Sequence, residues 1–271
     1  MSSTMREGIY TQTVGRRILY FERVSSTMDE ASALAEGGAE NGTVVVAEEQ
    51  WASRGRFSRP WVSPKGNLSL SVILRPQGTA AGYISMLAGV AVVRAIGKTT
   101  RLDARLKWPN DVLVDGKKLC GILVEPSYLS DQLQYAVVGI GVNVALDPTE
   151  TPEISQTATS LTMETGGAVH RGHLLRKLLQ EMDTLYLELE RTAPRTSGAL
   201  PDAPRLLDEY RSCLDTLGQH VEVSWQGDIC CGFAEDVNEM GNLMLKLEDG
   251  RTKVLSAGEV TLARPAASEV S

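Results

Sequence analysis

The feature that most constrains the fold is a hairpin signal near the middle of the chain. Two apolar segments, 106–114 and 118–125, flank Asp115-Gly116, a dipeptide that favours a tight turn between antiparallel strands. Helical patterns and further strands lie on both sides of this hairpin. The mixture indicates an α+β fold rather than a doubly wound one, because parallel strands need a crossover of about a dozen residues between them.

The part of the chain before Gly218 predicts several more strands and helices. Apolar or alternating segments place strands at 17–24, 43–48, 67–74 and 134–144. Helical patterns place helices at 27–36, 82–96, from 173 onward and around 206–214. Ser25-Ser26-Thr27 form a capping cluster before the first helix, and Asp29 and Glu30 follow in its first turn. Segment 192–204, with its prolines, predicts a surface connection.

The pattern changes after Gly218. Short strands are expected near Val221, Ile229, Leu243, Val254 and Val260, separated by glycine-containing turns. This spacing predicts a small β-barrel-like domain of about fifty residues, followed by a polar tail after Arg264. We therefore divide the chain into a domain at 1–217 and a second domain, with the tail, at 218–271.

Composition argues against two classes of partner. The formal net charge is -7, whereas a general DNA-binding surface needs clustered positive charge. No long apolar run and no basic leader are visible in the sequence. We expect a soluble cytoplasmic protein that binds neither DNA nor a membrane.

The cysteines and histidines give no strong metal signal. The four cysteines are Cys120, Cys213, Cys230 and Cys231, with no Cys-x-x-Cys spacing, and they are interpreted as reduced, mostly buried side chains. His170 and His173 have a spacing that a metal can use, but no carboxylate or cysteine stands beside them. They are better explained as polar residues at the start of a helix, and no metal site fixed by the protein is predicted.

An arginine-rich segment is the first candidate for chemistry. Arg54, Arg56 and Arg59 lie within six residues, next to Gly55, in a polar stretch at 52–61. Guanidinium groups at a glycine-containing turn can clamp carboxylate and phosphate oxygens. Taken alone, the segment is better explained as a solvated surface loop.

Two lysine motifs flank the hairpin. The first, Lys107-Trp108-Pro109-Asn110-Asp111, would present Lys107 and Asp111 towards the same cleft. The second, 118–125, places Lys118 near Gly121, where a ligand can approach the backbone. The alternative for Lys118 is a solubilising turn, although the apolar residues that follow it favour the edge of a cleft.

The order of these motifs resembles that of biotin protein ligases, over roughly residues 17–264. The motifs are Ser26-Thr27, Arg54-Gly55-Arg56 with Arg59 and Trp61, Lys107-Trp108-Pro109-Asn110-Asp111, 118–123, Gly139-Ile140-Gly141-Val142-Asn143 and 256–260. The resemblance implies a mixed-sheet catalytic domain of the class II synthetase-like type and a C-terminal SH3-like β-barrel. It also implies a reaction in which ATP and biotin form biotinyl-AMP, with Mg²⁺, before biotin passes to a lysine of a biotin carboxyl carrier protein.

The resemblance also implies roles for individual residues. The biotin-binding set is Ser26, Thr27, Met28, Gln50, Arg54, Gly55, Arg56, Lys118 and Gly121. The set that contacts ATP or the adenylate is Arg54, Arg56, Arg59, Trp61, Lys107, Asn110, Lys118 and Asn143. Catalysis is assigned to Arg56, Lys107, Asp111 and Lys118, with Asp111 orienting the incoming lysine. The segments 52–61 and 144–161 are expected to close over the adenylate.

This chain departs from the family pattern at three positions. Ser53 and Ser58 stand where the family loop usually has glycine, and Met28 stands where many relatives have asparagine. The resemblance therefore implies a stiffer loop and one polar contact fewer to the ligand.

Three alternative functions remain open. A lipoate or octanoate ligase shares the fold and the acyl-adenylate chemistry. A biotin-sensing repressor would carry an N-terminal winged helix, for which the residues before the first strand are too few. A degenerate member of the fold would bind nucleotide without turnover. The sequence does not distinguish a monomer from a homodimer.

Overall fold

The computed structural model describes residues 10–76, 81–130, 132–192, 203–225 and 227–262. Most of the predicted connection at 192–204, and the tail after Arg264, lie outside the described residues.

The larger of two sheets is mixed and has seven strands in the order β1-β2-β3-β7-β6-β5-β4. β1 and β2 are parallel, and each of the other neighbouring pairs is antiparallel. The α+β prediction is therefore confirmed. The strands are β1 (Ile18–Val24), β2 (Val44–Gln50), β3 (Leu68–Leu74), β4 (Arg105–Lys107), β5 (Asp111–Val114), β6 (Lys117–Leu129) and β7 (Gln132–Val142).

Helices lie on both faces of this sheet. The first helix begins as predicted, because the Ser26 hydroxyl accepts a hydrogen bond from the Met28 N–H. No helix in the described residues is both long and apolar enough to cross a bilayer. The helices are α1 (Thr27–Glu36), α2 (Ala81–Thr100), α3 (Leu161–Thr165), α4 (Arg171–Thr192) and α5 (Pro204–Cys213). The short helix α3 was not predicted.

Side chains alternate along each strand, so neighbouring residues of a strand pack on opposite faces of the sheet. Val45 and Ile73 pack in a cluster with Ala31 of α1. Val44 and Val72, one position away, belong to the main core with α2 and α4. The molecule thus has α1 on one face of the sheet and α2 backed by α4 on the other.

One predicted strand is in fact two. Segment 106–114 bends at residues 108–110, and β5 folds back on β4 so that Asp111 pairs with Lys107. Pro109 explains the break, since it has no N–H to donate to a sheet. The next turn is as predicted: Val114 pairs with Lys117, and the intervening Asp115 and Gly116 have φ values of 48° and 75°.

The second sheet, called the C-terminal sheet below, is antiparallel with five strands in the order β11-β10-β9-β8-β12. Its edges, β11 and β12, are not paired with each other in the described chain, so the predicted barrel is an open sheet. It attaches to the first sheet partly through Trp108, whose Nε1 donates to Gly241 O at 2.9 Å. Its strands are β8 (His220–Trp225), β9 (Asp228–Val237), β10 (Leu243–Lys246), β11 (Thr252–Leu255) and β12 (Glu259–Leu262).

The cysteines and histidines are only partly as predicted. All four cysteines are free, but only Cys120 is buried and Cys231 is exposed, so the expectation of mostly buried thiols was wrong. The His173 N–H donates to His170 Nδ1 at 3.2 Å just where α4 begins, as expected of residues that start a helix.

Candidate active site

A cavity of about 260 Å³ lies between the start of α1, segment 52–61, the turn at 108–110 and strands β6 and β7. Every residue selected from the sequence lines it. These residues are Ser26, Thr27, Met28, Gln50, Arg54, Gly55, Arg56, Arg59, Trp61, Lys107, Asn110, Asp111, Lys118, Gly121 and Asn143. The fold thus brings motifs that are far apart in sequence to one place.

Glycines form bare backbone at the base of the cavity. Gly121 and Gly141 pair across β6 and β7, so they share one face of the sheet. A Cβ atom at Gly141 would lie 2.5 Å from Trp61 Nε1, and one at Gly121 would lie 3.0 Å from Trp61 Cζ3. The indole of Trp61 can lie against this surface only because both side chains are missing.

A set of buried and partly buried hydrogen bonds, here called the hydroxyl floor, connects Thr27, Gln50, Ser63, Ser69 and Ser71. The Thr27 N–H donates to Gln50 Oε1 at 2.7 Å, and Gln50 Nε2 donates to Ser63 Oγ at 3.0 Å. The Ser63 and Ser69 hydroxyls are 2.6 Å apart, and Ser71 Oγ donates to Thr27 Oγ1 at 2.8 Å. These contacts fix the direction of neutral donors and acceptors.

The three serines of the hydroxyl floor were missed by the sequence analysis. A signal for two of them was present, because Ser69 and Ser71 alternate with Leu68 and Leu70 along β3. Such alternation places both hydroxyls on one face. Their burial, at 3% and 0% exposure, was not visible from the pattern.

The two lysines of the site differ in their partners. Lys118 Nζ lies 2.7 Å from Asp111 Oδ1 and 5.3 Å from the centre of the Trp61 ring. The side-chain ammonium group of Lys107 makes no hydrogen bond or ion pair with the described residues, although Lys107 lies opposite Asp111 in the β4–β5 pair. Lys107 is therefore a cation available to a ligand, whereas Lys118 must give up its ion pair with Asp111 before it can bind a ligand.

Segment 52–61, here called the arginine loop, is held by acidic side chains. Arg54 contacts Asp29 at 2.7 Å and Glu125 at 3.3 Å. The hydrogen bond to Asp29, together with both negative charges, raises the pKa of Arg54. Arg59 forms an ion pair with Glu259, so two of the three arginines are paired with carboxylates.

Arg56 is placed differently from the other two arginines. Its Nη1 donates to Gly258 O at 3.0 Å and to Asn110 Oδ1 at 3.4 Å. Burial lowers the pKa of this guanidinium, which still carries its charge at neutral pH. Arg56 is thus the most enclosed positive charge of the loop and has no direct carboxylate partner among the described residues.

The serines that replace family glycines take part in the shape of the loop. Ser53 Oγ donates to Trp61 O at 2.7 Å, and Trp61 N donates to Ser53 O at 3.0 Å, which closes the base of the loop. Ser58 has a φ of 57°, and Phe57 before it has a φ of 56°, in the left-handed region that favours glycine. These contacts support a stiffer loop, which stays a prediction. Met28 packs against Gly139 and offers no polar group to the cavity.

Segment 144–161, expected to close over the nucleotide, is joined to the sheet. Asn143 Nδ2 donates to Thr159 O at 3.0 Å. Lys118 forms a parallel bridge with Ala158, with backbone hydrogen bonds to Thr157 and from Thr159. The segment therefore already forms one wall of the cavity.

Residues of the C-terminal sheet also reach the site. Gly258, Glu259 and Val260 line the cavity, and the Phe57 ring lies 5.7 Å from that of Trp225. No local pattern pointed to these contacts, because Arg56 and Gly258 are 202 positions apart.

Known proteins are similar to this chain in sequence. The model of the biotin/lipoate A/B protein ligase family matches residues 20–143. The biotin–[acetyl-CoA-carboxylase] ligase of Paracoccus denitrificans is 36% identical over 251 residues, which is 88% of this chain and 97% of that one. The bifunctional ligase/repressor BirA of Bacillus subtilis is 34% identical over 261 residues, covering 94% of this chain and 77% of BirA.

A solved structure shares the fold. The biotin protein ligase of Aquifex aeolicus, in complex with biotin and ATP, superposes with a TM-score of 0.76 at 28% identity, over 92% of this chain and all of that one. These sequence relatives match most of the chain, and the solved structure shares its fold. This chain therefore belongs to the biotin protein ligase family.

Proposed function

We propose that the hydroxyl floor binds the ring of biotin and that the surrounding cations bring its carboxylate to the α-phosphate of ATP. The carboxylate oxygen attacks the phosphorus, pyrophosphate leaves, and biotinyl-AMP remains in the cavity. One observation carries the proposal: a single cavity is lined by several cations and by Thr27 and Gln50, whose polar groups are fixed by hydrogen bonds to each other and to the buried serines of the floor.

The cations address the main barrier, which is the repulsion between two anions. Lys107 is ready to meet phosphate, while Lys118 exchanges Asp111 for the biotin carboxylate. Arg54 and Arg59 must likewise break their ion pairs with carboxylates before they bind ATP. The free energy that each contributes to ATP binding is therefore the difference between its interaction with phosphate and its interaction with the carboxylate. Arg56 needs no such exchange, and we assign it the acyl phosphate.

The described residues contain no group of three or more His, Cys, Asp or Glu side chains placed to share a metal ion. In our proposal the Mg²⁺ that accompanies ATP is held by triphosphate oxygens, where it offsets charge on the departing pyrophosphate.

In the second half-reaction, a lysine amine of a biotin carboxyl carrier protein attacks the acyl carbon of biotinyl-AMP, an amide bond forms and AMP leaves. A lysine amine has a pKa of about 10.4 and is mostly protonated at neutral pH, so it needs a group that orients it and helps remove its proton. Asp111 is our candidate, because it is freed when Lys118 turns to the ligand. Asp111→Asn should slow carrier modification more than pyrophosphate release; an equal loss in both steps would contradict this role.

The wider setting is proposed as follows. The first 217 residues form the catalytic domain and 218–271 a second domain with its tail. The protein acts in the cytoplasm on its carrier, as a monomer or homodimer, and the net charge of -7 supports a function without DNA. A gel-shift experiment that detected specific DNA binding would contradict the last point.

The direct test is to incubate the protein with biotin, MgATP and a biotin carrier domain, then measure pyrophosphate and probe the carrier with streptavidin. Both signals should require biotin, and lipoate should neither replace it nor compete with it. Turnover with lipoate alone would favour the lipoate ligase alternative. Absence of pyrophosphate with either acid would reject the ligase proposal.

A further inference from the structure

A row of three side chains connects the C-terminal sheet to the cavity. The guanidinium carbon of Arg56 lies 4.9 Å from the centre of the Phe57 ring. That ring lies 5.7 Å from the ring of Trp225, at an angle of 52°. Trp225 ends β8, so an aromatic side chain of the C-terminal sheet is in contact with the residue next to Arg56.

The position of Phe57 calls for a physical explanation. This residue is 53% exposed, and its backbone has a φ of 56°, which is uncommon for a bulky residue. Neither burial in a core nor relaxed backbone geometry accounts for a phenylalanine here. Its aromatic contacts do, because Trp225 supports one part of the ring and Arg56 lies against it.

The same part of the C-terminal sheet makes a second contact with Arg56. Gly258 O accepts from Arg56 Nη1 at 3.0 Å, and the residue after it, Glu259, pairs with Ser224 beside Trp225. Two neighbouring strands therefore fix the surroundings of Arg56: β8 supports the Phe57 ring through Trp225, and the residue just before β12, Gly258, supplies the carbonyl oxygen. Together they fix the plane of the guanidinium, which determines whether it can form two parallel hydrogen bonds to an oxyanion.

We propose that Trp225 is a positioning residue for adenylate formation, which acts through Phe57 to aim Arg56 into the cavity. The inference rests on the proposed role of Arg56 at the acyl phosphate. Trp225 itself is outside the lining of the cavity and touches no reacting atom. Its contribution is geometric, because a displacement of about 1 Å at a catalytic group is enough to lower the rate.

The test uses the full chain with Trp225→Ala, Phe57→Ala, Trp225→Phe and a control, Ile229→Ala, on the same β8–β9 hairpin. Ile229 is 64% exposed and has no part in the row of side chains. Steady-state pyrophosphate release gives KM for ATP and kcat, and direct titration gives the Kd for biotin. Trp225→Ala should lower kcat/KM for ATP by about three- to tenfold, as expected for loss of an aromatic contact. The Kd for biotin should change by less than about twofold.

Two further results distinguish positioning from a general loss of stability. Trp225→Phe should restore most of the activity, since a ring again meets Phe57. In an Arg56→Lys background, Trp225→Ala should have little further effect, because Lys lacks the planar group that the row aligns. Phe57→Ala should reproduce the effect of Trp225→Ala, and the double variant should be no worse than either one.

The proposal is overturned if Trp225→Ala and Phe57→Ala both retain wild-type kcat/KM for ATP. It is also overturned if the losses in kcat/KM are additive in the double variant and remain undiminished in the Arg56→Lys background. If Trp225→Ala does not fold, Phe57→Ala, in an exposed loop, decides alone by the same criteria. These outcomes can be distinguished from failure of the proposed function, because each compares a variant with a wild-type enzyme that releases pyrophosphate. A wild type without turnover would reject the function itself.

Discussion

The hydroxyl floor, which lines the cavity through Thr27 and Gln50, and the arginine loop are held in place by different forces. The floor is made of neutral groups that are buried except for the half-buried Gln50, and its hydrogen bonds run from Gln50 through Ser63 to Ser69 and from Ser71 to Thr27. The loop is half exposed and is held by ion pairs to Asp29, Glu125 and Glu259, with two residues at positive φ.

This difference indicates a division of labour. Neutral hydrogen bonds in a buried place are insensitive to salt and have fixed direction, which suits recognition of an uncharged ring. Exposed ion pairs are weak and exchange partners easily, which suits groups that must turn to an incoming triphosphate. The following predictions test this separation, beginning with the largest effect.

Loss of a loop cation should affect chemistry more than biotin binding. Arg56→Ala should reduce the rate of pyrophosphate release by about 10²–10³-fold, the usual cost of removing one group that stabilises charge in a transition state. The Kd for biotin should change little. Arg251→Ala, which removes an exposed arginine of the C-terminal sheet, is the control and should leave the rate unchanged. A larger effect on biotin Kd than on rate would contradict the division.

Loss of a floor hydroxyl should do the opposite. Ser71→Ala removes the buried donor to Thr27 Oγ1 and should raise the Kd for biotin by about tenfold, the value of one buried hydrogen bond. The rate at saturating biotin should fall far less. Isothermal titration measures the first quantity and single-turnover pyrophosphate release the second, with Ser224→Ala, at an exposed position of β8, as the control. Unchanged affinity would exclude the floor as the recognition site.

Low pH should weaken the hydrogen bonds of Glu48, which lies two residues before Gln50 on β2 and so helps hold the strand that carries part of the hydroxyl floor. Burial raises the pKa of this carboxyl, but hydrogen bonds from Arg171 and Tyr20 outweigh burial, and the net pKa is below its ordinary value. The stabilisation is therefore present above the ordinary glutamate pKa and is lost as pH falls through the folded-state pKa.

Glu48→Gln should lower the free energy of unfolding at pH 7 by about 1–2 kcal/mol, because it replaces charged hydrogen bonds by neutral ones. The variant should also lose stability less steeply than wild type below about pH 4.5. Urea unfolding over a pH series measures both effects. Glu49→Gln, the neighbour whose ion pair with Arg23 is exposed, should follow the wild-type curve; parallel curves for Glu48→Gln would disprove the assignment.

The smallest effect concerns strain in the loop. Ser58→Gly should raise the free energy of unfolding by about 0.5 kcal/mol, because relief of about 1–2 kcal/mol at positive φ slightly exceeds the added entropy of a glycine in the unfolded chain. In the helical position Ser212 of α5, the same change should be destabilising by about 0.5 kcal/mol. Equal changes in both variants would show that Ser58 is unstrained.

Much of the fold could be predicted because its signals are local. The cap of α1 needs only Ser26 near Met28, and the hairpin at residues 115–116 needs only two residues that tolerate positive φ. The division of 106–114 into two strands was not predicted, although Pro109 within the segment cannot donate a hydrogen bond to a sheet. The extent of solvent exposure of the cysteines was also misjudged, since burial depends on what packs against a strand.

The sequence by itself, through its resemblance to a known family, selected the arginines, the lysines and Asp111 that line the cavity. Only the tertiary structure decided what holds each of them: Asp29 and Glu125 for Arg54, Gly258 O for Arg56, and Trp225 behind Phe57. The physical reason is that these contacts join residues up to 202 positions apart. Such pairs form only after two sheets have packed together, so no local pattern carries them.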